Sequence, residues 1–158
     1  MLDMNKQALI NTFALVYKEY NFPPTAGKIL GFFFVNSQRD FTFNEVMVGI
    51  QASKSATSKA LKFLVNIEEV NFKFSEVKKR KRLFFLNNKS VKRRNEKLIK
   101  AHSLETNLLK QCLNVRKDEN SEIYALIKSN VAFNEDMIQF ATDKLYSHFE
   151  TEQNSTEK

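Results

Sequence analysis

Between Glu76 and Leu86 the chain reads EVKKRKRLFFL, so five consecutive basic residues, Lys78, Lys79, Arg80, Lys81 and Arg82, run directly into Leu83, Phe84, Phe85 and Leu86. Cations at that density neutralise phosphates and release the counterions held around them. A second group lies upstream, where Ser53, Lys54, Ser55, Thr57, Ser58, Lys59 and Lys62 crowd one short stretch. Short hydroxyls and lysines at the start of a helix are donors for phosphate oxygens and base edges. Nothing comparable is arranged for catalysis. His102 and His148 stand far apart in the sequence, with no clustered thiols or carboxylates beside them, so no metal site is expected. No Ser/His/Asp arrangement, Walker loop or dinucleotide fingerprint is present, which argues against an enzyme and against a cofactor. The single cysteine, Cys112, excludes an internal disulfide and a multi-cysteine metal site. Its place on an apolar helical stripe reads as a buried structural thiol rather than a redox sensor.

The charge is localised. The chain of 158 residues carries a net charge of +7. Residues 41–95 hold 13 basic and 4 acidic side chains, while residues 96–158 hold 8 and 11. A concentrated positive segment is the footprint of a nucleic-acid or anionic-surface binder. The longest apolar runs, Ile29 to Val35 and Leu83 to Leu86, fall far short of the roughly 20 residues that span a bilayer. The start, MLDMNKQALI, has no basic-then-apolar leader, which points to a cytoplasmic protein.

These residues need a scaffold, and its class follows from composition. At 42% hydrophobic and 27% charged, the chain can bury a core. With only 3 Gly and 2 Pro it is poor in the residues that tight β turns require, so a mostly helical fold is expected. Leu9, Phe13, Val16 and Tyr20 form a helical stripe over Met4 to Tyr20. Pro24 opens a second helix reaching about Asn36, apolar enough (Ile29, Leu30, Phe32, Phe33, Phe34, Val35) to be the central one. Thr42 and Glu45 match the capping box that closes free amides at a helix start, with Val46 and Ile50 following at helical spacing. Ser53 is a good N-cap for the next helix, whose Thr57, Leu61 and Leu64 share one face. Val70 to Ser75 alternates like a half-buried strand, Arg82 to Leu86 is rich in strand formers, and Glu76 to Lys79 is a hairpin-length connection. The basic run is then the tip and ascending arm of a hairpin, and the apolar tetrapeptide is where that arm returns to the body. Val91 to Val115 is expected to be a long helix with a stripe of Leu98, Ala101, Leu108, Cys112 and Val115. After a turn with Asp118 as candidate cap, Ile123 to Phe149 is expected to be helical, with a break near Asn130.

Helix, short turn, helix and basic hairpin is the order of a winged helix-turn-helix. The first helix braces the second, which enters a major groove with its free N-terminal amides toward phosphates. The hairpin, or wing, lies over a neighbouring groove. The stretch from Phe22 to Leu86 resembles the DNA-binding core of MarR-like regulators, in particular the bacterial GbsR group. The resemblance is carried by Pro24-Thr25-Ala26-Gly27-Lys28-Ile29-Leu30-Gly31, matching that group's Pro-x-x-Gly-x-Ile-Leu-Gly entry helix. It is carried also by Ser53 and Ser58, continued by Ala60-Leu61-Lys62, matching its Ser-x-x-x-x-Ser recognition helix. It implies a homodimeric transcription regulator whose terminal helices build the dimer. The chain departs from the group at Glu68, where glycine usually follows the recognition helix.

The expected architecture is therefore mostly α with a small β wing. Residues 1–21 form a dimerisation helix, 22–90 the winged helix-turn-helix, 91–150 a helical dimerisation region and 151–158 a frayed tail. The expected function is sequence-specific binding of double-stranded DNA at an inverted-repeat operator by a homodimer. DNA contact is assigned to Ser53, Lys54, Ser55, Thr57, Ser58, Lys59, Lys62 and the run from Lys78 to Arg82. The resemblance leaves room for a small-molecule effector, cationic if the group's osmoprotectant link holds, with Phe32, Phe33 and Phe34 as an aromatic pocket or simply core. Two alternatives stand: an architectural DNA binder without effector, and a winged-helix protein-interaction module.

Overall fold

A computed structural model describes residues 4–77 and 80–155. The chain divides into two compact units, residues 1–90 and 91–158.

The first unit is built on a pair of antiparallel helices, α1 (Met4–Glu19) and α2 (Pro24–Val35). Their packing explains the placement of glycine. A Cβ on Gly27 would stand 2.8 Å from the Cα of Ala14, and one on Gly31 would stand 2.9 Å from the Cβ of Phe13. The two glycines, one turn apart, let the α1 backbone approach α2. That approach selects the buried face of α1, which is Ile10, Ala14 and Tyr17 with Phe13 half-buried. The expected stripe was wrong in part, since Leu9, Val16 and Tyr20 are exposed. The helix carries apolar residues on two sides, and only the glycine surface of α2 decides between them. On α2, Ile29, Leu30, Phe32 and Phe33 are buried, whereas Phe34 is exposed and rests on Phe13 with ring centroids 5.3 Å apart.

Next come β1 (Phe41–Thr42), α3 (Phe43–Gly49) and α4 (Lys54–Asn66). The capping box forms as expected: the Thr42 hydroxyl accepts from the Glu45 amide at 3.3 Å, and the Glu45 carboxylate accepts from the Thr42 amide at 2.7 Å. Ser53 caps α4 by accepting from the Ala56 amide at 3.2 Å. Thr57, Ala60, Leu61 and Leu64 bury the inner face of α4. The wing consists of β2 (Val70–Phe74) and β3 (Arg82–Leu86), with β3 central in a three-stranded antiparallel sheet of order β1-β3-β2. Phe84 lies opposite Phe41 on one side and Phe72 on the other, so the sheet closes on the α2 core. Strand β1 escaped the sequence reading because two residues cannot show alternation.

The second unit is α5 (Ser90–Val115) and α6 (Glu122–Ser155). Lys110 and Glu135 form an ion pair between them. Three expectations are corrected here. The α6 helix runs unbroken through Asn130, because one asparagine costs well under about 1 kcal/mol of helix propensity and cannot interrupt so long a helix. Ser121, not Asp118, closes its start, accepting from the Tyr124 amide at 3.1 Å, while Asp118 pairs with Arg116. Cys112 is exposed on the single chain rather than buried, as are Leu98, Leu108 and Val115 of its stripe.

Candidate nucleic-acid interface

Two local features place α4. The turn from α3 is closed by hydrogen bonds that the Ile50 amide donates to the Val46 carbonyl and the Ala52 amide to the Met47 carbonyl, at 3.0 and 3.2 Å. Gln51 in that turn takes a left-handed φ of 52°. The exit from α4 bends through Glu68, at φ 62°. A non-glycine residue thus takes a left-handed conformation at the position where glycine was expected. Asn87, just after β3, ties the bend down. Its side chain donates to the Glu68 carbonyl at 2.8 Å, and its amide donates to the Glu69 carbonyl at 3.0 Å.

The wing then stands beside α4. Between them opens a cleft of about 570 Å³ with Leu61, Val65, Phe72 and Phe84 on its floor. Its rim carries Ser58 and Lys62 from α4 and Arg80, Lys81 and Arg82 from the wing, and among the described residues no acidic side chain lines it. Arg82 lies opposite Phe74 in the ladder, and its guanidinium sits over the Phe72 ring at 4.5 Å. A stacked guanidinium is held in position by the ring while its N–H groups face outward. This is the structural sense of basic residues abutting Leu83 to Leu86: the aromatic face of the wing both closes the core and carries a cation. On β2, Lys73 pairs with Asp40, and both Lys73 and Arg39 lie over the Phe85 ring at 5.9 and 5.8 Å.

Most of the sequence-assigned contact residues are presented outward. Ser53, Lys54, Ser55, Ser58, Lys59, Lys62, Arg80, Lys81 and Arg82 are exposed. Lys54, Lys59, Lys62 and Arg80 form no ion pair with any described residue, so their charge is available to a partner. Lys78 and Lys79 lie outside the described residues. Thr57 must be withdrawn from the set. It is fully buried, and its hydroxyl donates to the Ser53 carbonyl at 2.9 Å, so it locks the first turn of α4 from inside. Thr42, Asn44 and Asn66, outside the expected set, also line the cleft. For Asn66 the signal was present: Ser58, Lys62 and Asn66 are spaced four apart along one helix face.

Glu45 belongs to the capping box beside this surface, and its role is local. The Thr42 backbone amide, then the Thr42 hydroxyl, hold its carboxyl below the usual glutamate range. Among the described residues no three His, Cys, Asp or Glu side chains gather as a metal site, and no helix is long and apolar enough to cross a membrane.

No protein-family model and no curated protein matches the chain. Solved structures do. One described as a transcriptional regulator superposes with a TM-score of 0.65 over 92% of this chain and 99% of its own, at 14% identity. A Staphylococcus aureus MepR–DNA complex gives 0.44 over 82% and 92%, at 16% identity. A MarR protein from Peptoclostridium difficile gives 0.42 over 87% and 84%, at 19% identity. The first likeness shows a shared fold, and the other two superpose too loosely to add to it. The fold is a winged helix: mostly helical, with a small three-stranded antiparallel sheet and a helix-turn-helix at its centre.

Proposed function

We propose that this chain is a sequence-specific double-stranded DNA-binding transcriptional regulator that acts as a cytoplasmic homodimer and is not an enzyme. One observation carries the reading: the outer face of α4 and the wing converge on a cleft rimmed, among the described residues, by four cations and no acid. An exposed helix of α4's width fits a major groove, and its capped N-terminus points free amides outward. The wing residues, Lys78 and Lys79 with them, supply phosphate contacts. A structural neighbour described as a transcriptional regulator shares the fold. The GbsR group of MarR-like proteins is the assignment favoured by the entry-helix and recognition-helix motifs. Residues 1–21 and 91–150 are assigned to the dimer. Their exposed Leu98, Leu108 and Val115 on α5, with Leu126, Phe133 and Phe140 on α6, form more apolar surface than a lone chain keeps in water.

The test is duplex binding by anisotropy across salt, followed by footprinting. A specific site is expected to be an inverted repeat with half-sites about one turn, ~10 bp, apart or a small multiple of that. Affinity is expected to fall steeply, by roughly a hundredfold or more, between about 50 and 200 mM salt. Weak binding with no preferred duplex would instead support a protein-interaction module.

A further inference from the structure

The first three turns of α5 carry a second concentration of positive charge, apart from the residues that rim the cleft. Between Lys89 and Lys100 stand six basic residues and one acid, Glu96. Lys92 lies over the Tyr146 ring of α6 at 5.6 Å, and Asn95 and Ile99 line a groove against Leu145 of the same helix, so this face of α5 is turned to α6. Arg93, Lys97 and Lys100 are three and four residues apart, and Lys89 precedes the helix in step with them, so the four form one stripe. At about 100° per residue, that stripe points more than a right angle away from the face turned to α6. All four side chains are exposed. Lys89, Lys97 and Lys100 form no ion pair with any described residue, and neither does Glu96. Further along, the same face continues as Leu104, Leu108 and Val115, also exposed. One face of one helix is thus cationic in its first half and apolar in its second.

The cationic half is unfavourable for the helix alone. Its charges oppose the positive end of the helix dipole, the first turn holds no acid, and like charges three and four residues apart repel. A two-fold copy cannot relieve this through the same stripe, because cation would meet cation. An anionic partner can. We infer that the stripe of Lys89, Arg93, Lys97 and Lys100 is a second nucleic-acid surface, which holds the phosphate backbone of duplex DNA without reading bases. The stripe spans roughly 16 Å of helix at about 1.5 Å per residue. A DNA strand carries one charge per about 3.4 Å of axis, so the stripe can neutralise roughly three or four phosphates. It is made of cations alone, with no carboxamide to pair with an adenine edge. A lipid surface fits less well, since interfacial helices sink Trp, Phe or Leu into the acyl boundary and α5 holds no Phe, Tyr or Trp. The choice of duplex DNA as the anion rests on the DNA-binding reading, whereas the stripe itself does not.

The experiment compares the full chain with a stripe variant, Lys89→Gln with Lys97→Gln and Lys100→Gln, and with a rim variant of the cleft, Arg80→Ala with Lys81→Ala. Arg93 is left in place because it also interacts within the chain. Anisotropy across salt reads binding to specific and to random duplexes. The stripe variant is expected to lower the salt slope by roughly two to three units, and to weaken both duplexes by the same factor, roughly tenfold or more at about 50 mM salt. Glu96→Gln, which removes the one acid beside the stripe, should strengthen both. In the wild type, bound duplex should slow acetylation of Lys89, Lys97 and Lys100. An unchanged slope in the stripe variant beside a weakened rim variant overturns the inference and leaves the DNA-binding reading standing. A weakened stripe variant beside an unchanged rim variant supports the stripe and removes the cleft as the interface. If the stripe variant keeps its slope but loses binding to vesicles of phosphatidylserine and phosphatidylcholine, the partner is a membrane surface; if it turns monomeric while the wild type is dimeric, the stripe is a subunit contact. Either result overturns the inference, and a wild type that binds no duplex at low salt overturns both readings.

Discussion

Gly49 and Gln51 lie two residues apart, and exchanging their chemistry should move stability in opposite directions. Gly49 ends α3, and a Cβ there would stand 2.1 Å from Cε2 and 2.5 Å from Cδ2 of Phe32. Ordinary contact begins near 3.4 Å, so the ring must retreat by more than an ångström. It has little room, being buried and edge-packed on Phe41 and Phe33 at 4.8 and 6.0 Å. Overpacking of this kind costs about 1–3 kcal/mol. Replacing a helical glycine returns about 0.5–1 kcal/mol, so Gly49→Ala should destabilise by about 1–2 kcal/mol. Gln51 is the reverse case. It is exposed, and a left-handed φ of 52° costs an L-residue about 1–2 kcal/mol. Glycine removes that cost but adds about 0.5–1 kcal/mol of unfolded-chain entropy. Gln51→Gly should therefore stabilise by about 0.5–1 kcal/mol, because the hydrogen bond from the residue 51 amide to the Val48 carbonyl survives. Urea denaturation at fixed protein concentration reads both, as midpoint shifts at constant slope. If the two variants shift the midpoint in the same direction, the account of this turn is wrong.

Thr42→Ala should cost about 1 kcal/mol at neutral pH through loss of the cap. The Thr42 hydroxyl adds to the lowering of the Glu45 pKa that the Thr42 backbone amide begins, so its bond to the carboxylate contributes fully above the ordinary glutamate range and is lost as pH falls through the lowered value; the gap between wild type and variant should narrow in acid to the cap bond the hydroxyl accepts from the Glu45 amide, which thermal melts across pH will show. Light scattering at micromolar concentration should give about twice the 18.4 kDa chain mass, and Leu108→Asp with Val115→Asp should return it to the single value; a monomeric wild type defeats the assignment of the α5 stripe. Arg80→Ala and Lys81→Ala should weaken all duplexes and reduce the salt slope by roughly one unit per lost phosphate contact. Lys54→Ala or Ser55→Ala should cost about 1–3 kcal/mol mainly on the specific site. Equal losses on specific and random DNA by both groups would remove base readout from α4.

The sequence was most legible where one residue satisfies one local need. Thr42, Glu45 and Ser53 mark helix starts because free amides require an acceptor at a fixed offset, and all three act as read. The two wing strands followed from alternation in Val70 to Ser75 and strand formers in Arg82 to Leu86, whereas their register came from the structure. What stayed hidden depends on surfaces that meet only in the fold. The inward face of α1 was decided by Gly27 and Gly31 on another helix. Thr57 counts as a donor in the sequence and as a buried lock in the structure, because α4 turns that hydroxyl toward the Ser53 carbonyl. The burial of the Gln7 amide without a hydrogen-bond partner left no trace in composition or period, since an unsatisfied amide is a property of its surroundings.

The scarcity of glycine was a sound guide to helix content but not to backbone conformation. Asn21, Gln51 and Glu68 all take positive φ, at 60°, 52° and 62°, and no glycine does. All three follow directly on helices, after α1, α3 and α4, where a left-handed residue ends the helix and turns the chain. In exchange, all three glycines are placed where a Cβ would collide with a neighbour. The chain thus uses glycine for close approach and accepts strain at its turns, which requires something to hold those turns. At Glu68 the holder is Asn87, whose two hydrogen bonds join the bend after α4 to the end of β3. The angle between α4 and the wing, and with it the width of the cationic cleft, is therefore set from both ends of the hairpin. Asn87→Ala should widen the range of that angle and weaken duplex binding although Asn87 is not among the residues lining the cleft. Glu68→Gly introduced together with it should restore part of the stability, by relieving the left-handed strain, but none of the affinity. Restored affinity in the double variant would show that the strain of the bend, and not the Asn87 tie, governs how the wing is held.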